Sequence, residues 1–165
     1  MAQATIQDLI DQLEDHDRQI RQQARGKLVQ VGEAAIPFLR QAVLSNNPNL
    51  RWQASQALSQ INTPSVIPVL IDIMRENEYV GVRWAATEGF IRMGRAGLVP
   101  LLQSLIKHFD SVWLRESAHH ILRSYHDQGI EGETIENVLH ALEGSEPDVA
   151  VPWAAEETLR QLDES

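Results

Sequence analysis

Cysteine is absent from the sequence, which excludes disulfides, thiolate nucleophiles and zinc–thiolate sites. Aromatic residues make up only 5% of the 165 positions, yet four of the nine are Trp. Long apolar runs are also missing. The most apolar window, "VIPVLIDIM" (Val66–Met74), is too short to span a bilayer and carries Asp72. The opening "MAQATIQDLI" lacks the basic stretch followed by an apolar one that marks a secretory signal, so a cytoplasmic protein is expected. A basic surplus is missing as well. Net charge is −9, and residues 127–165 hold eleven acidic groups against Arg160 alone, whereas residues 1–126 are nearly balanced. A general nucleic-acid binder needs a basic face to neutralise phosphates, and this chain has no charge for one. At 43% hydrophobic and 22% charged, what remains is an ordinary globular composition.

Internal repetition is what the sequence does have. "IRQQARGKL" (Ile20–Leu28), "LRWQASQAL" (Leu50–Leu58), "VRWAATEGF" (Val82–Phe90), "LRESAHHIL" (Leu114–Leu122) and "VPWAAEETL" (Val151–Leu159) align on an apolar lead, an Ala four residues later and an apolar residue four beyond that. Steps of 30, 32, 32 and 37 residues separate the leads. Apolar positions at i, i+4 and i+8, extended at i+11 by Val31, Ile61, Met93 and Leu162, define one helix face. The recurring Ala permits close helix approach.

Between these segments lies a second set: "AAIPFLRQAV" (Ala34–Val43), "SVIPVLIDIM" (Ser65–Met74) and "GLVPLLQSLI" (Gly97–Ile106). Each carries Pro, which belongs in a first helical turn where its missing N–H is not needed. "TIQDLIDQL" (Thr5–Leu13) and "TIENVLHAL" (Thr134–Leu142) fill the same slot without Pro. Asn47-Pro48 and Thr63-Pro64 each read as N-cap followed by N1, and Gly32 and Gly94 as helix ends. The expectation is an all-α fold in one domain, residues 1–165. It is an α-solenoid of about five hairpins and ten helices, with repeats near 4–32, 33–62, 63–94, 95–126 and 130–163.

The Pro near the start of the first helix, and the apolar-Arg-x-x-Ala-x-x-x-Leu pattern of the second, resemble HEAT repeats. The short period is similar to that of phycobilisome lyases built from HEAT-like repeats. Pro152 departs from the pattern by replacing the Arg in the fifth repeat. The acidic residue often found ahead of the Arg is Asp17 in the first repeat, but Asn47 in the second and Tyr79 in the third. Arg21, Arg51, Arg83 and Arg115 read as a structural column pairing with acidic or carbonyl acceptors of neighbouring repeats, the competing reading being an anion site. Pro152 would end that column.

In HEAT-like solenoids the second helices line the concave face. At about 100° per residue, position i+2 of each second helix points to solvent. Down the repeats it reads Gln22, Trp52, Trp84, Glu116, Trp153, and position i+6 reads Gly26, Gln56, Glu88, His120, Glu157. Exposed Trp is enriched at binding hot spots; the plainer reading is that each Trp folds onto the next repeat. The candidate partner-binding face is therefore Trp52, Gln56, Trp84, Glu88, Glu116, His120, Arg123, Trp153 and Glu157. Glu116 and His120 share a face with ligand spacing, but His119 points elsewhere and no second such pair recurs. No metal or cofactor is expected, and no catalytic motif assembles.

Two functions follow. The first is a non-enzymatic scaffold or adaptor holding a protein or peptide, one with a basic segment to suit the acidic end, with neither nucleic acid nor membrane as partner. The second, implied by the resemblance alone, is a phycobilin lyase subunit or bilin-handling chaperone. In that case a tetrapyrrole would stack on Trp52 and Trp84, with Arg123 or Arg160 meeting a propionate.

Overall fold

A computed structural model describes residues 5–164; the first residue of the expected opening repeat and the first four of the opening stretch lie outside that range. Among the described residues there are ten α-helices and no strands, as the all-α solenoid requires. The helices are α1 (Ile6–Gln12), α2 (Arg18–Val31), α3 (Ile36–Ala42), α4 (Pro48–Gln60), α5 (Ile67–Glu76), α6 (Val80–Met93), α7 (Arg95–Lys107), α8 (Val112–Asp127), α9 (Gly132–Glu143) and α10 (Pro147–Asp163). No helix among the described residues is long and apolar enough to cross a membrane.

Helix starts follow local chemistry. Thr5 and Asp8 form a reciprocal capping box on α1. Asp17, Asn47 and Ser111 cap α2, α4 and α8 through their side-chain oxygens. Gly32 and Gly94 close α2 and α6 with φ of 69° and 56°, a left-handed φ that a side chain would strain. Thr63 does not cap as expected. A 3-10 turn (Pro64–Val66) precedes α5, and the Thr63 hydroxyl hydrogen-bonds with that of Ser65 instead. Pro37 and Pro68 stand in first turns, but Pro100 lies inside α7, because that helix begins directly after Gly94.

Packing forms two rows. The second helices α2, α4, α6 and α8 stack on one another, and the first helices α1, α3, α5 and α7 form a looser row behind them. The closer stacking of the second helices makes theirs the inner row. Its spacing is set by small residues: Ala24, Ala54, Ala86 and Ala118 are all buried. The closest approach is one that the Ala periodicity did not reveal. A Cβ added to Gly89 would stand 2.6 Å from the backbone Cα of Ser59 on α4. Nearby, the Arg92 guanidinium donates to the Ser59 carbonyl through Nε at 3.2 Å and Nη2 at 2.8 Å. One apolar cluster runs from Leu9 to Ala155, although at its N-terminal end Ile20 and Val31 of the expected buried face stay exposed.

The fifth hairpin breaks the rule of the rows. Here α9 lies along α8 and α10 along α7, so the first helix of the repeat joins the inner row and the second joins the outer. His126 meets Glu136, and His119 and Arg123 meet Glu143, tying α9 to α8. The His119 hydrogen bond, followed by the Arg123 charge, holds the Glu143 carboxyl below its ordinary range. Backbone and hydroxyl donors of Thr5 do the same for Asp8.

Two predictions follow from this packing. Gly89→Ala should destabilise by about 1–3 kcal/mol, since the overpacking outweighs the usual gain of about 0.5–1 kcal/mol for replacing a helical Gly. Ala54→Leu and Ala86→Leu should cost a similar amount, about 1–3 kcal/mol each. Thermal melts matching wild type would show that the helix contacts are misplaced. Second, Asp8 and Glu143 have depressed folded-state pKa values. Their stabilisation is present above the ordinary carboxylate range and is lost as pH falls through the folded values. In Tm-against-pH curves, Asp8→Asn and Glu143→Gln should each lower the neutral plateau and flatten the acid limb; an unchanged slope would contradict both contacts.

Candidate interaction face

Each of the first four second helices is entered through a turn locked by one Arg. Arg21 Nη1 donates to the Asp15 carbonyl at 2.6 Å, Arg51 Nη1 to that of Ser45 at 2.8 Å and Arg83 Nη1 to that of Asn77 at 2.8 Å; Arg115 bonds Phe109 in the same way. The acceptor is always six residues back, inside the same repeat. The expected column pairing with neighbouring repeats is thus corrected, because the guanidinium reaches the carbonyls left orphaned where the first helix ends. The same turn residues bond forward: Asp15, Ser45 and Asn77 accept the backbone N–H two residues on. What crosses between repeats is aromatic. The Arg51 guanidinium sits 3.5 Å over the Tyr79 ring and that of Arg83 4.3 Å over Trp113. Buried Asn77 adds a bond from Nδ2 to the Val43 carbonyl of the repeat before.

These turns aim the inner face. Trp52 and Trp84 stand there 46% and 52% exposed. Each also leans on the next repeat: Trp52 reaches the backbone at Gly81, where an added Cβ would meet its ring at 3.9 Å, and Trp84 stacks on His120 at 4.9 Å between centroids. Each Trp ring is therefore braced on one side and exposed on the other. His120 Nε2 lies 3.4 Å from Glu88 Oε1, so Trp84, Glu88 and His120 form one unit across α6 and α8. Beside it is a cleft of about 230 Å³ lined by Val80, Arg83, Trp84, Thr87, Glu116, Ser117 and His120. Glu116 has no cationic partner among the described residues.

Other expected members of the face are placed differently. Gln56 lies one turn beyond Trp52 on α4. Arg123 is drawn aside to Glu143. Trp153 and Glu157 are corrected: α10 belongs to the outer row, so neither continues the Trp52–Trp84 line. Trp153 is 70% exposed there, and Glu157 pairs with Arg160 on its own helix. Val80 and Val112, both exposed, were missed. They precede Trp84 and Glu116 by four residues and share their helix faces, a signal lying just upstream of the aligned repeat. No group of three or more His, Asp or Glu among the described residues is arranged to hold a metal.

A family model for HEAT repeats matches residues 6–91, just over half of the chain. The chain belongs to the HEAT-repeat family. No curated protein matches it. The match ends at α6, and the reversed fifth hairpin of this HEAT-repeat chain lies wholly beyond it.

The Arg turns are open to a direct comparison. Arg83→Ala removes a carbonyl bond and a ring contact, whereas Arg115→Ala removes a carbonyl bond alone. Arg83→Ala should therefore be the costlier, by about 0.5–1 kcal/mol, the value of an exposed cation–π contact. Equal losses in chemical denaturation would remove Trp113 from the account.

Proposed function

We propose that this protein is a non-enzymatic scaffold or adaptor that holds a protein or peptide segment on the inner face of α4, α6 and α8. The observation that carries this reading is the pair Trp52 and Trp84. Each is fixed in position by the next repeat yet leaves about half of its surface to solvent. A braced aromatic loses little side-chain freedom when it is covered, so the apolar area it buries goes into affinity. The cleft between α6 and α8 adds Val80 as an apolar wall and Glu116 as an uncompensated carboxylate. A segment with an apolar anchor beside a Lys or Arg is the chemistry this surface suits.

The alternative, a bilin-handling role, rests on the similarity of the repeat period, and one experiment separates the two. Affinity capture from the native host, run against a Trp52→Ala/Trp84→Ala control, should recover a partner with wild type that the double variant loses. Titration with free bilin should leave absorbance and Trp fluorescence unchanged. A bilin shift abolished by the same variant would transfer the face to the bilin role. Capture that ignores the variant would remove the Trp pair from the function.

A further inference from the structure

The outer row holds a second candidate surface, between α1 and α3. A groove of about 490 Å³ runs there, its floor formed mainly by Ile10, Phe38, Ala42, Leu44 and Leu50. The equivalent space between α3 and α5 is only about 100 Å³. The difference has a cause in the sequence. Between α3 and α5, Arg40 Nη2 bonds Asp72 Oδ2 at 2.8 Å across the gap, and Ile73 fills its floor. Aligned on the repeat, Ile10 takes the place of Arg40, Gln41 that of Asp72, and Ala42 that of Ile73. The bridge is gone and the filling side chain has shrunk. Between α5 and α7, where Ile71 takes the Arg position, the cleft is again wide at about 460 Å³. The carboxylate on that rim, Asp72, is already held by Arg40 and Arg75.

The α1–α3 groove differs in its charge. Its rim carries Asp11 and Glu14, which hydrogen-bond to neutral amides: Gln7 Nε2 donates to Asp11 at 2.8 Å and Asn47 Nδ2 to Glu14 at 3.0 Å. Neither has a cationic partner among the described residues. Residues 1–17 contain five acidic side chains and no Lys or Arg, and no Lys or Arg lines the groove. Leu44 meanwhile stands 65% exposed and Phe38 40%. An apolar trough beside unpaired carboxylates complements one kind of occupant.

We infer that the groove between α1 and α3 docks a cationic amphipathic helix of a partner protein, whose apolar stripe covers Phe38 and Leu44 while its Lys or Arg side chains meet Asp11 and Glu14. This surface lies on the outer row, away from Trp52 and Trp84, so one chain would engage two segments at once, as an adaptor does.

The test is fluorescence anisotropy with a labelled helical peptide of about 18 residues, Leu at i, i+3, i+4 and i+7 and Lys elsewhere, against a scrambled peptide of the same composition. The amphipathic peptide should bind, and weaken with added salt. Leu44→Ser, a change at an exposed site that the fold tolerates, and Asp11→Asn/Glu14→Gln should each weaken it about tenfold. Trp84→Ala should leave it unchanged, which keeps this result separate from the inner-face reading. Equal binding of the scrambled peptide would overturn the inference, as would a loss in Trp84→Ala matching that in Leu44→Ser. So would self-association in sedimentation that Leu44→Ser abolishes, since the occupant would then be a second copy.

Discussion

One charged hydrogen bond, repeated four times, sets the geometry on which everything else depends. An Arg at the start of each of the first four second helices reaches back to a carbonyl six residues earlier. That carbonyl lies where the preceding helix has ended and has no intrahelical donor. A guanidinium satisfies it with a charge-assisted bond and thereby fixes the angle between the two helices of the hairpin. Because the Arg follows the apolar lead residue, the same helix rotation that seats the Arg turns position i+2 outward. Trp52 and Trp84 are presented to solvent as a consequence of the clamp.

The second constraint is the small-residue contact along the inner row. Ala at i+4 and Gly89 at i+7 let α4 and α6 approach until backbone nearly meets backbone. Rows of unequal spacing must bend, and the bend opens clefts among the more widely spaced first helices. Whether a given cleft stays open is then decided by a few side chains. Arg40 and Asp72 with Ile73 close one, and Ile10, Gln41 and Ala42 leave its neighbour wide.

Most of the fold was legible because its signals are local and repeated. Helix period, Pro placement, capping residues and the Arg spacing each recur several times, and repetition separates a rule from an accident. The face carrying Trp52, Trp84, Glu88, Glu116 and His120 followed from the same periodicity. What periodicity could not supply was the identity of partners across space. Asn77 reads as one more polar loop residue, yet it bonds Tyr79, Arg83 and Val43 together. Arg51 on Tyr79 and Arg83 on Trp113 pair residues at different repeat positions, Tyr79 three before its lead and Trp113 one before, so no alignment column contains both.

The fifth hairpin shows where a local signal has a non-local result. Pro152 stands where the clamp Arg should be, and the step before it lengthens to 37 residues. At α10 the Arg link that seats the other second helices on their turns is missing, so the hairpin is not held to the same side by it. Its direction is set upstream. Gly129 at φ 73° and Glu131 at φ 49° bring the chain round in the left-handed region, an uncommon conformation for Glu that costs free energy unless its surroundings hold it. Arg95 pairs with the Glu131 carboxylate at that point. Glu136 and Glu143 then meet His126, His119 and Arg123 on α8, drawing α9 into the inner row and leaving α10 to α7. Five of the acidic groups counted in the C-terminal excess, Asp127, Glu131, Glu136, Glu143 and Glu157, thus have partners of opposite or titratable charge. The reversal ends the inner row with an acidic helix in place of another Trp-bearing one, which confines the braced aromatic surface to α4 and α6.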